Sequence, residues 1–155
     1  MEIKTVRDGL VAVLKADPDI ISKIGAAQVD YGLPRKINQA MLVKGSAIRV
    51  VSRGRGEEEM ADSGGGETFV WAPYRFHVVT VFQLTDTEDE KDAEDYESDY
   101  DRIMRKAISN GYTLNGIATD VEFGDTVLRQ HPEKDTIYFV LLEVTALVYE
   151  SATER

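Results

Sequence analysis

The 155-residue chain contains no cysteine and only two histidines, and these absences exclude several classes of function. Without cysteine it forms no disulfide, thiolate zinc site, iron–sulfur cluster or cysteine nucleophile. His77 and His131 lie far apart in the sequence, which does not favour a histidine ligand cluster or a catalytic dyad. The first residues lack a signal-peptide core, and no apolar run approaches the roughly 20 residues that span a bilayer. We therefore expect a soluble protein that is intracellular when made.

Sequence motifs for catalysis or phosphate binding are also missing. The nucleophile motif GxSxG does not occur. Neither does the phosphate-binding motif GxxxxGK[ST]. Carboxylates are plentiful, but most of the clustered ones belong to an exposed face where nothing would separate their pKa values for acid–base work. We predict no enzyme, no metal site and no cofactor.

The net charge of −10 is concentrated in one segment. Residues 86–101 hold ten of the 28 acidic residues and one of the 18 basic residues, a net charge of −9, which leaves −1 for the rest of the chain. A protein that grips nucleic acid needs Lys and Arg to displace the counterions of the phosphates. We therefore predict that the chain does not bind nucleic acid directly.

This acidic segment, DTEDEKDAEDYESDYDR, has three interpretations: a calcium loop, a disordered tail or part of a helix. An EF-hand loop needs Gly at its sixth position. Counted from Asp86, that position holds Lys91. Apolar residues recur at steps of three and four, which predicts one amphipathic helix over residues 89–109 with its carboxylates facing solvent. Its acids crowd the N-terminal half, as the helix dipole favours. The predicted apolar face comprises Ala93, Tyr96, Tyr100, Ile103 and Ala107, with Met104 and Ile108 beside them.

Two shorter helices are predicted near the N-terminus. Residues 5–15 place four apolar side chains on one face, with Thr5 as a plausible N-cap. Asp17 then offers a second N-cap, Pro18 the first helical position and Gly25 a stop.

Four strands complete the predicted fold. They occupy residues 46–52, 68–84, 116–129 and 135–150, the last two joined by the turn QHPEKD. The 68–84 strand is apolar on both faces at its centre, which predicts that its centre is covered on both sides. The order of elements predicts a single α+β domain, residues 1–155. Its mostly antiparallel sheet of four to five strands is packed by the N-terminal helix and the long acidic helix.

Residues 53–67, RGRGEEEMADSGGGE, have five glycines and few apolar residues. We predict a flexible Gly-rich loop between two strands. Its length suggests a use, because structureless loops of this size are uncommon in compact domains.

Several segments together resemble the tail terminator proteins of long-tailed bacteriophages, also called tail completion or minor tail proteins. They are VRDGLVAVLKADPDIISKIG (residues 6–25), YRFHVVTVFQL (74–84), the acidic helix that follows, and IYFVLLEVTALVYE (137–150). The likeness is one of pattern and covers most of the chain. The chain departs from the compact family pattern in the length of the 53–67 loop and in the charge density of the acidic helix.

The resemblance implies a structural virion protein without catalysis or cofactor. Such a protein forms a ring, usually hexameric, that caps the tail tube, ends tube polymerisation and joins the tail to the head-side connector. Its partners would be itself, the tail tube protein and the connector or stopper protein. DNA would pass through the lumen without specific binding, and no membrane would be involved. The protein would be assembled in the host cytoplasm and reside in the tail or neck of the virion.

Two alternative functions are also compatible with the sequence. The alternatives are another neck, connector or tube-like virion subunit of similar fold, and a small-ligand-binding domain, for which the sequence supplies no set of polar residues that could converge on a pocket.

Two candidate surfaces follow from the resemblance. The candidate loop contacting a tube or ring neighbour comprises Arg53, Arg55, Glu57, Glu58, Glu59 and Met60. The candidate acidic face, directed to the lumen or to the outer wall, comprises Asp89, Asp92, Asp95 and Asp99.

Overall fold

A computed structural model of the protein describes residues 1–32, 45–64 and 67–151. In this part of the chain, three α-helices and six strands build one sheet with helices packed against it. None of the helices described is both long and apolar enough to cross a membrane. The helices are α1 (Ile3–Ala16), α2 (Pro18–Lys23) and α3 (Glu90–Asn110), with a short 3-10 turn at Ala26–Gln28. The strands are β1 (Val29–Tyr31), β2 (Ser46–Arg55), β3 (Glu59–Gly64), β4 (Glu67–Gln83), β5 (Asp120–Gln130) and β6 (Ile137–Ser151).

The two N-terminal helices confirm the sequence prediction with one correction. The α1 helix begins at Ile3 after Glu2, so Thr5 lies inside it and is not its N-cap. The next helix begins as predicted, because the Asp17 carboxylate accepts a hydrogen bond from the Ile20 backbone N–H at 3.1 Å. Gly25 ends this segment with a φ of +96°, a conformation that favours glycine. The apolar face of α1 is buried and comprises Val6, Leu10, Val13 and Leu14.

The acidic segment is helical from Glu90, as predicted, and a capping box fixes its start. The Asp89 carboxylate accepts hydrogen bonds from the backbone N–H groups of Lys91 and Asp92, at 3.0 and 3.4 Å. In return, the Asp92 carboxylate accepts one from the Asp89 N–H at 2.8 Å. This arrangement satisfies N–H groups that the first turn of a helix leaves without partners. The buried face comprises Ala93, Tyr100, Ile103, Met104, Ala107 and Ile108, with Tyr96 half-buried beside it.

The sheet has the strand order β1-β2-β4-β6-β5, with β3 also paired to β4. Every strand pair is antiparallel except β1–β2. The predicted α+β architecture is therefore confirmed, and the sheet has six strands rather than four or five. The two additional strands are β1, which has three residues, and β3, which lies in the Gly-rich segment.

The helices pack on one face of the sheet, which we call the helix face. Here the fully buried side chains of β4, including Tyr74, Phe76 and Phe82, meet those of α1 and α3. Six alternating side chains of β6 are buried on this face. They are Tyr138, Val140, Leu142, Val144, Ala146 and Val148.

The opposite side of the sheet, the open face, carries a second apolar cluster formed by strand residues. Its buried members are Ala47, Val79, Val81 and Ile137. Val79 is 5% exposed and Val81 0% exposed, which confirms that the centre of β4 is covered on both sides.

The prediction of an irregular loop over residues 53–67 is wrong for most of that segment. The β2 strand continues through a bulge to Arg55, and residues 59–64 form β3 along the edge of β4. The reason is the length of β4, which extends seven residues beyond the end of its pairing with β2 at Tyr74. The backbone groups along this extra edge pair with β3, and this stabilises a strand that has little apolar content of its own.

Candidate assembly surfaces

The strand β3 and residues 67–72 of β4 form an antiparallel pair that we call the arm. It lies beyond the ends of β2 and β5, since β2 ends opposite Tyr74 and β5 begins opposite Leu147. The last residues of β6 continue beside the arm as far as Ser151. The arm and the end of β6 together form a three-stranded extension of the main sheet.

The base of the arm is anchored by a buried carboxylate, that of Glu150 at 4% exposure. The Arg55 guanidinium contacts this carboxylate and also lies 3.1 Å from Glu58. The Tyr74 hydroxyl donates a hydrogen bond to Glu150 at 3.0 Å, and the Met1 α-amino group lies 2.9 Å from it. A buried charge is tolerated only when it is paired and hydrogen-bonded. Burial and the hydrogen bond to Glu150 raise the pKa of Tyr74 to about 12.

Some of the predicted contact residues belong to this anchor, whereas the others are exposed to solvent. Arg55 and Glu58 are half-buried and engage each other, so they belong to the base of the arm. Arg53 is exposed at the β2 bulge. Glu57 and Glu59 are exposed too, and Met60 is 72% exposed. Contact of these side chains with a neighbouring subunit stays a prediction.

A row of aromatic side chains on the arm and the adjacent end of β6 was not predicted from the sequence. The ring of Tyr149 stacks on Phe69 with centroids 5.1 Å apart and contacts Trp71 at 5.0 Å. Tyr149 is nevertheless 42% exposed. The pairing of Trp71 with Tyr149 brings together residues distant in the sequence, so the only available signal was the chain's single Trp in a strand.

A groove of about 1370 Å³ runs across the open face next to the arm. Trp71, Pro73 and Leu147 provide apolar walls, and Tyr112, which follows α3, lines the groove at 48% exposure. The charged side chains that line it are Arg55, Arg75, Glu57, Glu59, Asp120 and Glu122.

Gly56 lets Arg75 pack closely against the base of this groove. Its N–H donates a hydrogen bond to the Pro73 carbonyl at 2.8 Å. A Cβ at this position would lie 2.8 Å from the Arg75 guanidinium and 3.0 Å from the Pro73 ring, which is closer than ordinary van der Waals contact. The absence of a side chain at Gly56 therefore leaves the space that the Arg75 guanidinium occupies.

The predicted acidic face lies on α3, which packs on the helix face of the sheet. Asp89 and Asp92 take part in the capping box, and Asp95 is exposed. Asp99 lies 3.8 Å from Lys23 and 3.9 Å from Arg102. Within the described ranges, no group of three or more acidic or histidine side chains is placed to hold a metal ion.

The other half of α3 is tied to the sheet through Arg105. Its guanidinium bonds to the Asp101 carboxylate at 2.9 Å and to the Thr126 hydroxyl at 2.9 Å. It also donates to the Gly124 carbonyl at 3.1 Å, at the bulge of β5. At the other end of the helix, a hydrogen bond to Glu88 raises the pKa of Tyr96 to about 12.

Comparison with known proteins shows a likeness of fold. A chain of the solved structure described as the virion of a native gene transfer agent (GTA) particle is similar to this one, with a TM-score of 0.53 and 15% sequence identity. The similarity covers 94% of this chain and 95% of that chain. No protein-family model matches the sequence, and a search of curated proteins finds no match. At this identity, the likeness concerns the fold alone.

Proposed function

We propose that the chain is a structural virion protein that forms a ring, of six copies, capping the tail tube of a phage-like particle. The ring ends tube polymerisation and joins the tail to the head-side connector, with DNA passing through its lumen. The observation that carries the proposal is the likeness of fold to a chain of a GTA virion, over 94% of one chain and 95% of the other. The resemblance of residues 6–25, 74–84 and 137–150 to tail terminator proteins supports the specific role.

A closed ring requires two different surfaces on every copy, one for each neighbour. The sheet has two unlike edges: β5 is the terminal strand on one side, and β3 lies on the opposite edge of β4. The arm exposes Met60 together with Glu57 and Glu59. In our proposal these side chains contact a ring neighbour or the tube, and the Arg55–Glu150 pair holds the arm in position for that contact.

The acidic face suits a particle through which DNA slides. A lumen rich in Lys and Arg would retain DNA, because phosphate binding is driven by the release of counterions. The exposed carboxylate of Asp95, with Asp89, Asp92 and Asp99, would repel DNA from the lumen or keep the outer wall of the ring soluble. A ring interface that buries these carboxylates against a neighbour's acidic surface would contradict this part of the proposal, since unpaired burial of charge is costly.

The test is the mass of the purified protein with and without its cognate tube protein, together with negative-stain images. We expect closed rings at tube ends. A stable monomer that never forms rings on tube ends would refute the proposal. Polymerisation of this protein alone into long stacks would instead identify a tube-like subunit.

A matched pair of variants assigns the contact to the arm. Met60→Asp places a charge on the exposed surface of β3, opposite Val70, and is expected to abolish capping without unfolding the protein. Ile21→Asp makes the same type of change at the exposed surface of α2, where Ile21 is 45% exposed, and is expected to leave capping intact. Equal loss of capping in both variants would show that capping does not depend specifically on a contact made by the arm.

A further inference from the structure

We propose that the groove beside the arm binds an extended polypeptide segment of a partner protein, one that carries Arg or Lys side chains between apolar ones. This inference concerns a binding surface of the single chain and does not depend on ring formation. The groove is lined by the open face of the sheet, whereas the acidic helix packs on the helix face.

The size of the groove fits a polypeptide better than a metabolite. Its volume of about 1370 Å³ exceeds the roughly 300–1,000 Å³ typical of small-molecule sites. Its walls come from β4, β5 and β6, the bend at 55–57 and the segment after α3. An extended chain lying across several strands would therefore contact all of them.

The apolar walls carry the residue types that dominate protein recognition. Trp and Tyr are enriched at the energetic centres of interfaces, because they bury much area for little lost conformational freedom. The ring of Trp71 packs against that of Tyr149 on the neighbouring strand, and Tyr112 is 48% exposed. Both aromatic faces are also suited to a guanidinium or ammonium group, through cation–π attraction.

The charges of the groove favour a basic occupant. Arg55 already pairs with Glu150 and Glu58, so its charge is compensated within the chain. Arg75 is then the remaining cation of the lining, against four carboxylates: Glu57, Glu59, Asp120 and Glu122. In the described part of the chain none of these four carboxylates forms a salt bridge. A basic segment would provide the missing counter-charges, and like-charged segments would be rejected.

The charges of the groove also disfavour a second copy of the chain as its occupant. The acidic segment of a second copy, residues 86–101 with a net charge of −9, would bring like charge to an anionic groove, and the rest of that copy, with a net charge of −1, has no excess of basic side chains. Several of its basic side chains are also taken by its own carboxylates. They are Arg7 with Asp8, Lys23 with Asp99, Arg105 with Asp101, and Lys106 with Asp19.

The test uses Trp71, the single Trp of the chain, as a reporter inside the groove. The probes are two heptapeptides with blocked ends, one of alternating Val and Arg and one of alternating Val and Glu. We expect a saturable change in Trp71 fluorescence with the basic peptide and none with the acidic one. No saturable change with the basic peptide, or an equal response to both, would overturn the proposal.

Matched variants separate the groove from general attraction to an acidic protein. The groove variant Asp120→Asn/Glu122→Gln removes two exposed charges and is expected to weaken binding of the basic peptide by about fivefold or more. The control Glu94→Gln/Asp95→Asn removes two exposed charges from α3 and is expected to change affinity by less than about twofold. Each variant replaces exposed side chains by neutral isosteres, and unchanged urea midpoints would verify the fold. Equal weakening in the two variants would show general electrostatic attraction and overturn the proposal.

Discussion

Replacement of Arg55 by Met tests the anchor at the base of the arm most sharply. The variant removes the guanidinium that pairs with the Glu150 carboxylate, which is 4% exposed, and keeps much of the aliphatic stem. The buried charge then loses its strongest counter-charge, so we expect a lower free energy of unfolding and a less ordered arm.

The size of the loss in unfolding free energy depends on the partners that the Glu150 carboxylate retains in the variant. Removal of one partner from a fully buried ion pair costs about 3–5 kcal/mol. Here the Tyr74 hydroxyl remains at 3.0 Å and the Met1 α-amino group at 2.9 Å, and the side chain of Arg55 is itself 23% exposed. We therefore expect a loss of about 2 kcal/mol. Glu58→Gln removes the more exposed partner of the same guanidinium and is expected to cost about 0.5 kcal/mol.

The assay is urea unfolding of a double-mutant cycle built from Arg55→Met, Glu150→Gln and their combination. We expect the two single changes to be non-additive, with a coupling free energy of about 1 kcal/mol, because both act on one contact. A coupling free energy near zero, together with an Arg55→Met loss no larger than that of Glu58→Gln, would refute the account of the anchor.

Three further changes test the packing of α1, the cap of α3 and the titration of Tyr74. Gly9→Ala is expected to cost about 1–3 kcal/mol of unfolding free energy in urea, because the new Cβ would lie 2.8 Å from the Ile117 side chain; an unchanged midpoint would contradict this close packing. Asp89→Ala removes the cap of α3 and is expected to lower thermal stability by about 1 kcal/mol, whereas Asp95→Ala on the same helix should leave it nearly unchanged. The pKa of Tyr74 is about 12 against an ordinary 10, so the unfolded chain releases this proton first and stability should fall as pH rises between these values. Tyr74→Phe should show a shallower fall in the same pH range, and an identical slope in both proteins would contradict the assignment.

The helices could be predicted from the sequence because their signals are local. The cap at Asp17 and the apolar period of residues 89–109 depend on neighbours within one or two turns of the chain. The long strands β4 and β6 were also recognisable, since alternation over many residues rarely has another origin. The predicted acidic face follows from the same helical period.

The arm and the groove could not be predicted, because long-range pairing creates them. β3 has weak strand signals and is stabilised by the edge of β4 that extends beyond β2. Arg55 was predicted as a surface contact, yet its partner Glu150 lies 95 positions later in the chain. The groove likewise unites Trp71 and Tyr112 with charges on β5, and no sequence pattern relates these elements to one another.

The most direct measurement of the central claim is the length of tail tubes in negative-stain images, with the cognate tube protein polymerised at increasing amounts of this protein. We expect shorter tubes as the concentration of this protein rises, each with a closed ring at one end, and normal long tubes when Met60→Asp replaces the wild-type protein. Tubes of unchanged length without rings at their ends, at any concentration of the wild-type protein, would contradict this claim.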